Sequence, residues 1–298
     1  MCALKKGRLT CSTMDFSSPT IKRGDTWVPK KWNMPEGMDY PTGIWTDGTN
    51  IYCSSHMTMG GFEGQFVLNG DTWEPKVWNG LTEFPSYYIW TDGVNIYYSY
   101  NDSFKSAPVG NYVLNGDTWE PKIWNNEPMY WNASDLWTDG TNIYLSCSWG
   151  VYVLNGDTWE PKTWSGNINM HPAYIWSDGV NIYHSSVLHY VLNGDTWEPK
   201  TFANSLETYF DGQNIWTDGV NVYYGTGDEC YVLNGDTWEP KVWKGANAGG
   251  SGVWTDGTNI YYKNYVLTTS APPEPPDPTA LLMGYRVGCA LRAMRGKQ

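Results

Sequence analysis

Between residues 24 and 268 the apolar residues fall in short runs, bounded by Gly, Asn and Asp and rich in aromatic and β-branched side chains. Two units recur. The first reads Tyr-Val-Leu-Asn-Gly-Asp-Thr-Trp-Glu-Pro-Lys at 112–122, 152–162, 190–200 and 231–241, with a close variant from Phe66 to Lys76 and a reduced copy from Gly24 to Lys30. The second reads Ile-Trp-Thr-Asp-Gly-x-Asn-Ile-Tyr and begins at Ile44, Ile89, Leu136, Ile175, Ile215 and Val253. Runs this short around Asp-Gly and Asn-Gly-Asp predict β-hairpins, because glycine accepts a positive φ without steric cost. Each period then holds four strands, a to d. The proline in every d strand cannot donate to a ladder, which predicts d as the outer edge.

The Asp of the first unit stands at 25, 71, 117, 157, 195 and 236, so the period is 38–46 residues. That period is the length of a propeller blade. The repeats open on a lone d strand (Thr26–Trp32) and end on a, b and c (Val253–Leu267). Pairing Thr26–Trp32 with Tyr265–Leu267 would close the ring and remove its open edges. The expected fold class is all-β: a six-bladed β-propeller of four-stranded blades closed by the N-terminal strand, over residues 24–270. Residues 1–23 form an N-terminal extension, 271–278 a Pro-rich linker and 279–298 a short C-terminal helix.

The spacing of Tyr112/Trp119, Tyr152/Trp159, Tyr190/Trp197 and Tyr231/Trp238, with Phe66/Trp73 as a near copy, resembles that of kelch-type propellers. Kelch repeats carry Gly-Gly after the second strand. Here those places hold Ser54-Ser55, Ser99-Tyr100, Ser146-Cys147, Ser185-Ser186 and Gly225-Thr226. The resemblance is kelch-like and implies the fold rather than an activity.

Composition narrows the function classes. The chain has 298 residues, 19 Trp, 22 Tyr and a net charge of −12, which argues against nucleic-acid binding. Five Lys/Arg and one acid lie in 1–23, and four Lys/Arg and two acids in 271–298, leaving a strongly acidic body. No run of 18 apolar residues marks a transmembrane segment. Residues 1–12 carry Lys5, Lys6 and Arg8 without an apolar core, so no secretory signal is expected. The six cysteines show no regular spacing and read as free thiols, each a small buried hydrophobe.

Seventeen of the 19 Trp occupy repeat positions and are expected to fill the gaps between blades. The repeated Asp-Gly and Asn-Gly-Asp segments are expected to serve as turns, and no metal or cofactor is expected there. The a–b and c–d turns share one nearly uniform face. The b–c and d–a connections share the other, and they vary. Insertions in repeat proteins often mark the binding face. The candidate ligand-binding residues there are Tyr40, His56, Tyr87, Tyr88, Tyr100, Trp131, Trp149, His171 and Tyr209. His184 and His189 lie in or beside the same segments.

Residues 271–278, with five prolines, read as a semi-rigid spacer. In the following helix Leu281, Gly284, Val287, Gly288, Leu291 and Met294 form an apolar stripe suited to an assembly partner or a membrane surface. No catalytic motif is present, so an enzyme is not expected. The expected function is a recognition module for a surface glycan or protein receptor, tethered by its C-terminal helix. This layout is similar to that of receptor-binding appendages of bacteriophages, which implies a virion or cell-surface location. The alternatives are a cytoplasmic kelch-like scaffold and a carbohydrate-active propeller enzyme.

Overall fold

A computed structural model describes residues 7–8, 21–36, 38, 40–55, 64–81, 89–100, 110–126, 135–147, 150–166, 174–185, 188–204, 215–226, 229–246 and 252–269. It is a six-bladed β-propeller of antiparallel four-stranded blades, and strands a to d lie in that order within each blade. Blade 1 comprises Thr42–Thr46, Ile51–Ser55, Gly64–Asn69 and Thr72–Lys76. Blade 6 comprises Val253–Thr255, Ile260–Tyr262 and Tyr265–Thr268, and takes Thr26–Pro29 as its d strand. The closure is the expected one. The ladder ends at Pro29, earlier than the Trp32 read from the sequence.

Local chemistry explains the hairpins. Every c–d turn has two residues, with Gly70, Gly116, Gly156, Gly194 and Gly235 at φ of +57 to +60° in the first place. In the a–b turn the carboxylate does the work. Asp47 accepts from the amides of Thr49 and Asn50, the Asn50 side chain and the Tyr52 hydroxyl. Burial works to raise this carboxyl, and those hydrogen bonds outweigh it, so its pKa lies below the ordinary carboxylate value. Burial and the neighbouring carboxylate push the Tyr52 hydroxyl up.

The core lies between blades. At the first seam Trp45 of strand a stacks on Tyr52 of strand b at 4.4 Å, and Trp78 follows at 5.6 Å from Trp45. Trp119, from strand d of blade 2, meets Trp78 edge-on at 6.0 Å. The same four positions meet at the other seams: Trp90, Tyr97, Trp124 and Trp159; Trp137, Tyr144, Trp164 and Trp197; Trp176, Tyr183, Phe202 and Trp238; Trp216, Tyr223, Trp243 and Trp27; and Trp254, Tyr261, Trp32 and Trp73. The repeated tryptophans are therefore structural. Cys53, Cys147 and Cys230 are free and buried, as expected of small hydrophobes.

A belt ties the blades at the rim. Beyond each d strand the chain crosses to the start of the next, so that the Asn79 amide donates to Asp117 O and the Trp119 amide to Asn79 O. The crossing recurs at Asn33, Asn125, Ser165, Ala203 and Lys244. Alongside it each d-strand lysine reaches the next blade's Asp: Lys30–Asp71, Lys76–Asp117, Lys122–Asp157, Lys162–Asp195, Lys200–Asp236 and Lys241–Asp25, at 2.5–2.7 Å. The same ammonium groups lie over the ring two residues on, as Lys122 does over Trp124 at 4.5 Å. Close approach restricts the residue after the crossing. A Cβ on Gly80 would meet Trp119 O at 2.2 Å.

A serine of strand b accepts from the strand-a indole in blades 2 to 4, but not in blade 1, where the Trp45 indole N–H has no partner beside Ser54. The indoles of Trp90, Trp137 and Trp176 donate to Ser99, Ser146 and Ser185 at 2.8–3.2 Å. Gly225 holds that place in blade 5, and the Trp216 indole N–H there has no hydrogen-bond partner.

Residues 21–24 pack on the body. Ile21 is buried, the Lys22 amide donates to Thr258 O, and Arg23 Nε donates to Asp218 O at 2.9 Å. The expected linker at 271–278 and the expected helix at 279–298, with Leu281, Gly284, Val287, Gly288, Leu291 and Met294, lie outside the described residues.

Removing a seam ring should cost far more than removing a belt lysine. In urea unfolding followed by intrinsic fluorescence, Trp119→Ala should lose about 3–5 kcal/mol, as large-to-small core changes do. Lys122→Ala, whose partners are solvated, should lose about 1 kcal/mol or less. Gly225→Ser should raise the melting temperature by about 2–4 °C by giving the Trp216 indole an acceptor.

Candidate functional site

The uniform face leaves little chemistry free. Its a–b carboxylates at Asp47, Asp92, Asp139, Asp178, Asp218 and Asp256 each accept a tyrosine hydroxyl and turn amides. Its c–d aspartates carry the belt lysines. Among the described residues no three His, Cys, Asp or Glu side chains converge to hold a metal ion.

The repeat breaks on the opposite face, where blade 6 leads into blade 1. After the crossing residue, the other five blades place Gly80, Asn126, Gly166, Asn204 or Gly245 at φ between +51 and +104°. Met34 occupies this place after blade 6 and is not among the positive-φ residues. The chain leaves the belt by another route, and Met34, Pro35 and Met38 stand beside the edge of blade 6. They enclose an open groove of about 550 Å³ lined by Pro29, Lys30, Lys31, Trp32, Met34, Pro35, Met38, Asn264 and Tyr265.

The groove's chemistry differs from the rest of the rim. Lys31 stands where Val77, Ile123 and Val242 are exposed in other blades. Val28 replaces the glutamate that Asn69, Asn115, Asn155, Asn193 and Asn234 hold at about 3.1 Å elsewhere. Blade 6 therefore gains a cation and loses an anion on an acidic protein. Met34 and Met38 pack against the core cluster containing Trp32. The floor is fixed by the Trp32 indole, which donates to Lys263 O at 3.4 Å.

Tyr40, a candidate from the sequence, is exposed beside this groove, and the Lys263 ammonium lies 5.6 Å from its ring centroid and 5.2 Å from that of Tyr262. Lys263 itself sits at φ +51°, in the two-residue turn between strands b and c of blade 6. Tyr100 ends strand b of blade 2, opposite Gly110, and is not among the residues lining the groove. His56, Tyr87, Tyr88, Trp131, Trp149, His171 and Tyr209 lie outside the described residues. Sequence reasoning passed over Lys31, Met34 and Lys263. The signal was there: each departs from the residue that its position holds in other blades.

His184 needs a correction. The sequence placed it in or beside the variable loops. It lies inside strand b of blade 4, 1 % exposed, with its ring edge-on to Trp197 at 5.8 Å and neither ring nitrogen hydrogen-bonded. It fills the core place that Leu145 fills in blade 3. His189 is partly buried, with Nδ1 3.0 Å from Ser185 Oγ. Burial lowers the pKa of both.

No protein-family model and no curated protein matches the chain. The reading of the groove rests on its geometry.

Burial, with the charge of His189 adding to it, holds the His184 pKa down to about 4 against an ordinary 6.5. The folded protein then refuses a proton that the unfolded chain accepts. Stability should be full above about pH 6.5 and fall as pH drops toward 4, by about 3 kcal/mol from this residue. His184→Leu should raise stability at neutral pH and flatten that slope in urea titrations run between pH 4 and 7.

Proposed function

We propose that the protein is a non-enzymatic recognition module that binds a surface receptor, protein or glycan, through its b–c and d–a face. The propeller fold is consistent with a protein-binding module. The groove of blade 6 is the observation that carries the assignment. It combines a solvent-facing cation, two thioethers and a neighbouring exposed tyrosine at a place where the repeat is broken. An aromatic ring supplies contact area with few rotors to order, the methionines adapt to an apolar partner, and the lysine adds a charged anchor. Such a groove suits an acidic group flanked by apolar surface. Among the described residues the repeated aspartates are engaged in turns and belt, which favours binding over turnover.

The tether completes the proposal. The proline-rich segment would hold the propeller away from an assembly that the helix at 279–298 joins, in the manner of a phage appendage. Deleting residues 271–298 should leave ligand binding intact and abolish incorporation or self-association, read by sedimentation velocity. Unchanged sedimentation would remove the tether from the proposal.

Binding should be measured on arrays of acidic glycans and of acidic peptides. The double variant Lys31→Glu, Tyr40→Ala should weaken a positive signal at least tenfold, about 1.4 kcal/mol or more. Thr163→Glu, at the place of Lys31 in blade 3, should leave the signal unchanged. Equal loss from both variants, or none from either, would move recognition away from the groove.

A further inference from the structure

The channel side of the ring holds a strand that the repeat does not supply. Gly7–Arg8 pairs antiparallel with strand a of blade 3, Gly7 opposite Thr138 and Arg8 opposite Trp137, making that sheet five-stranded. The same two residues lie against strand a of blade 4, Tyr174–Ser177. Among the described residues every other blade has four strands. Thr138 beneath the pairing is 0 % exposed; at the same position Thr46, Thr91, Ser177 and Thr217 are half-buried, and Thr255 of blade 6 is buried without an added strand.

Two further facts bear on what this edge takes. Residues 21–24 are anchored over the a–b turns of blades 5 and 6, by Arg23 to Asp218 and Lys22 to Thr258. The pairing segment is thus held near the channel by a second point and is itself only two residues long. A ladder so short offers few backbone bonds, so a longer strand can outcompete it. Charge sets the preference. Residues 1–23 carry five Lys/Arg and one acid, and the protein as a whole carries −12. A basic strand therefore meets an opposing field.

We propose that the channel-side edge of blade 3 is a strand-addition site for an extended basic peptide of a partner protein, occupied in cis by residues 7–8 until such a peptide displaces them. Backbone hydrogen bonds to strand a supply the affinity, and lysine and arginine supply the selection. This site is separate from the groove of blade 6 and stands whether or not that groove binds a receptor.

The test uses a fluorescent peptide with the sequence of residues 1–12, its Cys2 and Cys11 replaced by Ser. A chain lacking residues 1–12 but keeping the anchor at 21–24 should bind it at one per chain, measured by anisotropy. Binding should weaken at least tenfold between 50 and about 300 mM salt, as an electrostatic contact does. The full chain should bind at least tenfold more weakly, and a peptide with Lys5, Lys6 and Arg8 changed to Glu should not bind. The full-length double variant Gly7→Pro, Arg8→Pro removes two amide donors without truncation. It should speed hydrogen exchange across residues 135–138 and bind the peptide as the shortened chain does. No binding by either variant while its circular dichroism matches the parent would overturn the proposal. So would equal binding by the full chain, or a dimer formed by exchange of these arms between copies.

Discussion

Four residues near one end of the repeats, Thr26–Pro29, pair with four near the other, Tyr265–Thr268, and the rest of the molecule depends on that contact. Without it blade 6 would have three strands and an exposed c edge. Two aromatic seams would also be incomplete, because Trp27 completes the seam begun by blade 5 and Trp32 the seam begun by blade 6. The contact joins residues more than two hundred positions apart, so it forms against a large loop-closure cost. The reward is cooperative: one short ladder lets two seams of large rings close together. The belt lysine Lys241 reaches Asp25 across the same join, and this charge and hydrogen bond hold the Asp25 carboxyl below its ordinary pKa.

A ring built from near-identical units has a consequence for function. The repeated polar groups are engaged in holding the ring together. The a–b aspartates are saturated by amides and a tyrosine hydroxyl, the c–d aspartates by lysines, and Ser99, Ser146 and Ser185 by indoles. Chemistry available to a partner must come from departures. Met34 departs where a left-handed backbone is the rule, and a groove opens. Lys31 departs where the rim carries an apolar or threonine side chain, and the groove gains a cation. His184 departs where the core holds Leu, Tyr or Cys. There the departure costs stability and offers nothing to solvent.

The fold was legible because it repeats. Six copies of Asp-Gly-x-Asn and of Gly-Asp-Thr-Trp state strand, turn and register locally, and the proline of strand d marks the edge. Reading the tryptophans as seam residues also succeeded, since a ring present in every blade has the same environment in every blade. The candidate site was less legible. Tyr40 stands in a variable connection beside the groove but does not line it. Lys31 lies within the expected d strand, Thr26–Trp32, and Lys263 in a two-residue b–c turn, so neither stood out as part of a long variable connection. His184 was misplaced because a histidine beside a loop in sequence can still point inward when strands alternate faces.

Local sequence therefore determined the blade: its strands, its turns, its buried rings and its polar edge all follow from residues within about forty positions of one another. Tertiary structure decided what no single blade contains. The crossing of each d strand to the next, the lysine that bridges two blades, the indole left without an acceptor opposite Gly225, and the entry of residues 7–8 beside strand a of blade 3 are all relations between separate units. Hydrogen bonds and hydrophobic contacts are short-ranged, so their partners are known only when the ring has closed and distant segments have been brought within a few ångströms.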